Sequence, residues 1–136
     1  MELSLPNIRD QQLAVFKKST ELGINQLRDN LEAPQFPPQA EVNEGDYSRN
    51  HLLRENEGFE PPHHDIIGAY FRHFQAHFPA YDSDKKLAQL LGVSSDRRIR
   101  EYKQGKYKIP YGIWRKFLVI TGRAPQEIIA VKGFLG

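Results

Sequence analysis

The chain has 136 residues with a formal net charge of +2, 39% apolar residues and no cysteine. That length holds one ordinary domain or a small domain with an appended segment, and the missing thiols exclude disulfides, thiolate zinc sites and cysteine nucleophiles. The small net charge conceals an asymmetry: residues 1–62 hold 6 Lys/Arg against 11 Asp/Glu, and residues 63–136 hold 13 against 6. A polyanion is therefore expected to meet the second half. No apolar run of about 18 residues and no basic-then-apolar leader occurs, so the sequence predicts a soluble cytoplasmic protein with no membrane span.

In chain order, helix formers with apolar positions Ile8, Leu13, Phe16, Leu22, Leu27 and Leu31 predict a helical segment from about Pro6 to Leu31. Gly23 within it predicts a break or two short helices. We place this N-terminal segment at residues 1–32. Residues 33–63 carry five of the nine prolines and six acidic residues, which reads as a linker or irregular arm. A helical turn is expected near Tyr47 to Arg54, with Phe36, Tyr47, Leu52, Leu53 and Phe59 able to dock on a folded surface.

Residues 64–136 read as five short helices. Ile66, Ile67, Tyr70, Phe71, Phe74 and Phe78 recur at helical spacing before Pro79. Asp82 or Ser83 suits the cap of a second helix, with Leu87, Ala88, Leu90 and Leu91 inside and Gly92 as its stop. Ser94 or Ser95 caps a third, Asp96 to about Gln104. Pro110 opens a fourth, with Ile113, Trp114, Phe117, Leu118 and Ile120 on its apolar face. A fifth is expected from Gln126 to about Val131.

The text Leu87-Ala88, Leu91-Gly92-Val93-Ser94, Ile99, Tyr102, Gly105 and Ile109-Pro110, continuing into Gly122 and Ala124-Pro125-Gln126-Glu127-Ile128, resembles the lambda-repressor-like (Cro-type, XRE-type) helix-turn-helix family over about residues 64–132. The resemblance implies an all-α, five-helix domain that binds double-stranded DNA as a dimer and regulates transcription by occupying an operator. Two departures stand out. Ile99 lies seven positions after Gly92, where the family has six, implying one extra residue near Ser94-Ser95-Asp96. Asp84 occupies a position where the family often has a phosphate-contacting glutamine.

With Ile99 facing inward, 100° per residue sends Arg97, Glu101 and Gln104 outward, with Arg98 and Arg100 flanking. The family's base-contacting positions, carried from the same anchor, fall on Ser95, Asp96, Arg97, Arg100 and Glu101. Arg97 and Arg100 suit guanine, Glu101 suits a cytosine amino group, and Gln104 suits adenine or phosphate. Arg98, Lys103, Lys106, Tyr107 and Lys108 suit the phosphate backbone, as do Lys85 and Lys86, which could replace the glutamine lost at Asp84. His63, His64, His73, His77 and Asp65 raise a metal hypothesis, but HxxxH without a metalloprotease glutamate reads as surface histidines. No catalytic constellation, cofactor or metal is expected. The alternative is a protein-interaction module, an antitoxin or adaptor, whose acidic N-terminal half binds a protein partner.

Overall fold

The computed structural model describes residues 7–136, so Pro6, at the expected start of the first segment, lies outside the described residues. These residues form five α-helices and no strand: α1 (Ile8–Asn30), α2 (His64–His77), α3 (Asp84–Leu91), α4 (Asp96–Lys103) and α5 (Tyr111–Ile120). The all-α expectation holds among the described residues. The chain divides into two compact units, residues 38–128 and the remainder, which comprises α1 with the tail 129–136.

In the first of these units, the apolar stripes of α2 to α5 close on one another. Ile66, Tyr70, Phe71, Leu87, Ile99, Trp114, Phe117 and Leu118 are all buried. The rings interlock as well as fill space. Phe71 meets Phe117 edge-on at 4.9 Å, and Tyr70 stacks on Trp114 at 5.7 Å, contacts worth about 0.5–1.5 kcal/mol each beyond area burial. The helices start on caps the sequence signals: Ser83 Oγ accepts the Lys86 N–H at 3.2 Å, and Ser95 Oγ accepts the Arg98 N–H at 3.3 Å. Pro79–Tyr81 adds one tight helical turn between α2 and α3.

The fifth helix expected at Gln126 to Val131 is absent; residues 125–136 have no regular structure. The carbonyl of Pro125 instead accepts a hydrogen bond from Arg115 Nη2 at 3.0 Å, and Tyr111 bonds the Glu127 carboxylate. These contacts tie Pro125 and Glu127 to α5, and Ile128 and Ile129 remain exposed, so a helix there would have no buried apolar face to stabilise it.

Residues 38–62 are irregular, as expected, but they are part of the folded unit rather than a spacer. Three single turns at Glu44–Asp46, Asn50–Leu52 and Glu55–Glu57 place Tyr47, Leu52 and Phe59 against the core. Polar anchors finish the docking. Arg72 Nε donates to Glu41 at 2.7 Å, Tyr70 hydroxyl donates to Glu44, and Tyr47 hydroxyl donates to Asp65 at 2.7 Å. His51 is buried and its Nδ1 accepts the Trp114 indole N–H at 3.2 Å. Arg115, buried in α5, donates through Nη1 to the Leu52 carbonyl at 3.2 Å. Phe36 belongs to the other unit, and Leu53 stays exposed.

In the second unit α1 runs unbroken for 23 residues, so Gly23 does not interrupt it. A side chain there would meet nothing within 4 Å, and one mid-helix glycine costs only about 1 kcal/mol. Asn7 caps the start by accepting the Asp10 N–H at 2.8 Å, and Phe134 of the tail meets Phe16 edge-on at 5.0 Å.

Candidate nucleic-acid interface

The connection between α3 and α4, residues 92–95, turns on Gly92, whose φ of +73° lies in the left-handed region that a side chain would strain. The Val93 N–H closes the turn on the Ala88 carbonyl at 2.9 Å. Leu87, Ala88 and Ile99 are buried where the two helices meet, so Ile99 anchors α4 as its spacing suggests. Four residues, 92–95, connect α3 to α4.

A polar clamp fixes the same pair of helices. Lys103 Nζ donates to both Asp84 oxygens at 3.0 Å, with the two side chains mostly buried, and Gln75 of α2 donates to the same carboxylate at 3.3 Å. Asp84 is therefore occupied in joining α3 to α4. Lys103, expected to face phosphate, is turned inward, because a mostly buried carboxylate within reach outcompetes water for its ammonium.

Around α4 most cations have a partner. Arg97 is exposed, and its Nε lies 3.3 Å from Glu101 Oε1. Arg100 Nη1 donates to Asp96 at 3.0 Å, a bond that holds the Asp96 carboxyl below its usual range. The Arg98 guanidinium lies over the Tyr107 ring at 4.1 Å. Each arginine is thus restrained by a neighbour.

Glu101 departs from the helical-wheel expectation. It is buried, held between Arg97 and Lys106, whose Nζ is 3.7 Å from Oε2, and the Lys106 N–H bonds the Glu101 carbonyl at 3.0 Å. After Gly105, φ +77°, the chain turns back so that Lys106 reaches Glu101. Glu101 orients two cations instead of facing outward. Ser95 and Gln104 are exposed at the two ends of α4, and Asp96 is half-buried. Lys85, Lys86 and Lys108 are exposed, with Lys86 paired to Asp82 at 3.0 Å. The structure thus gathers Arg97, Arg98, Arg100, Gln104 and Lys106 around α4 and withdraws Lys103 and Glu101. The withdrawal of Lys103 is not visible in local spacing, since Asp84 lies 19 residues away.

Among the described residues, His63, His64 and Asp65 bring ligand atoms within 4.8 Å of one another. Helix capping accounts for this arrangement. His63 Nδ1 accepts the Asp65 N–H at 3.0 Å and so caps α2, while Asp65 sits at the positive end of the helix dipole. His73 and His77 lie near the other end of α2, where His77 Nδ1 bonds the His73 carbonyl at 2.9 Å. The chain matches no family model, no curated protein and no solved structure.

Proposed function

We propose that this chain is a sequence-specific, double-stranded DNA-binding transcriptional regulator that acts by occupying an operator, with α4 as the helix that enters the major groove. One observation carries the reading: a short helix pair, fixed by Ala88, Gly92, Ile99 and the Asp84–Lys103 clamp, presents the arginines of α4 on its open side. Arg97 and Arg100 read guanine edges, with Glu101 restraining the first guanidinium and Asp96 the second. Gln104 and Ser95 complete the base-facing set. Lys85, Lys86, Arg98, Lys106, Tyr107 and Lys108 grip phosphates and set register without reading sequence.

The adaptor alternative has less support, because two of the six arm carboxylates already have partners within the chain: Glu41 in Arg72, and Glu44 in Tyr70 and Arg49. Selection of bound sequences from a random DNA pool, using the full chain, tests the regulator. Enrichment of a defined site that the Arg97→Ala, Arg100→Ala double variant no longer enriches supports it. Recovery of no preferred sequence overturns it.

A further inference from the structure

The 23-residue helix α1 contains no buried residue. An uncovered helix of this length is marginal in water, and most helical stability comes from packing an apolar face. Its apolar residues fall on two sides. Leu13, Phe16, Ile24 and Leu27 share one side and are 40–45% exposed, and Phe134 of the tail sits on it. Ile8, Val15 and Leu22 form the other, spaced by seven residues, and are more open at 74%, 69% and 57%. Beside them lies a shallow groove of about 470 Å³ lined by Ile8, Gln11, Gln12, Val15, Phe16 and Ser19.

The positions that interleave with this stripe at coiled-coil spacing are Gln12, Ser19 and Gln26. The seam from Ile8 to Gln26 therefore holds no charge, so two copies of it meet without like-charge repulsion. The flanking charges select a direction. Arg9 and Lys18 lie beside the seam in its first half, and Asp29 continues the stripe at its far end, whereas Asp10, Lys17, Glu21 and Arg28 fall on the opposite side of the helix. An antiparallel copy brings the basic end of each seam toward the Asp29 end of the other and opposes the helix dipoles, while a parallel copy aligns like with like.

We propose that α1 pairs with α1 of a second copy of this chain, antiparallel, along the Ile8, Val15 and Leu22 stripe. This deepens the reading of a regulator that binds DNA as a dimer, but its test contains no DNA, so the two fail separately. Sedimentation equilibrium of the full chain is expected to give a micromolar dimer, and Leu22→Glu to raise its Kd at least tenfold. Because α1 itself can fray in that variant, direction is tested on the intact seam. The chain has no cysteine, so Gln12→Cys and a tagged Gln26→Cys chain can be mixed and bridged with a short bis-maleimide. Mixed 12-to-26 products are expected. A chain that stays monomeric to 100 μM, or 12-to-12 products in place of mixed ones, overturns the proposal.

Discussion

Arg97 and Lys106 share one carboxylate yet are assigned opposite tasks. Replacing Arg97 with Ala is expected to weaken specific DNA binding by about 1–3 kcal/mol and relax selectivity at one base position, measured by titrating operator and scrambled duplexes. Lys106→Ala should instead weaken both duplexes alike and lower the salt slope by about one ion. Equal losses on both duplexes for Arg97→Ala would make that residue a positioning contact only. Lys103 gives a third behaviour. Lys103→Ala leaves the mostly buried Asp84 carboxylate with only Gln75, so the expected loss is about 1–3 kcal/mol of folding stability, read by urea denaturation, with no change in salt slope. His51 adds a pH dependence. Burial lowers its pKa to about 4, against 6.5 for the free side chain. Between those values the unfolded chain binds the proton and the folded chain refuses it. The stability that a neutral His51 gives is complete above pH 6.5 and declines as pH falls toward 4, by up to about 1.4 kcal/mol per pH unit. His51→Gln should flatten the urea midpoint between pH 6.5 and 5, the part of that window least affected by carboxylates.

At the scale of elements, α2 to α5 were legible because their signals are local: helical spacing of apolar residues, serine caps, and Gly92 at a left-handed turn. Gly92→Ala should cost about 1–2 kcal/mol in thermal or urea unfolding through backbone strain alone, since a Cβ there meets no neighbour. The misread elements share a cause. The expected helix at 126–131 lost to contacts with Arg115 and Tyr111, which lie 10 and 16 residues away from their partners. Gly23 passed inside α1 because helix propensity over 23 residues outweighs one glycine. On α4, the outward position of Arg97 and the inward one of Ile99 followed from periodicity, while the burial of Glu101 depended on where the chain goes after Gly105. Periodicity describes one helix; it carries nothing about what folds back over it.

At the scale of the molecule, composition left residues 38–62 open between a linker and a docked arm, because proline-rich acidic text reads alike whether or not its side chains find partners. Here they do, through Tyr47, His51, Leu52 and Phe59. The folded unit accordingly begins near Pro38, and a boundary drawn at 63 would strip the cover from Trp114 and Tyr70. A fragment of residues 38–128 is expected to unfold cooperatively in urea. Residues 63–128 alone should lose several kcal/mol and show a broad transition or none; equal midpoints for the two fragments would show that the arm adds nothing.

Trp114 is the only tryptophan of the chain, fully buried, and its indole N–H ends on the arm's His51. The protein therefore carries its own fluorescent gauge of arm seating. When residues 38–62 lift away, the indole exchanges an imidazole for water and its emission moves to longer wavelength. Operator binding can then be followed for any movement of the arm in the unlabelled, unmodified chain.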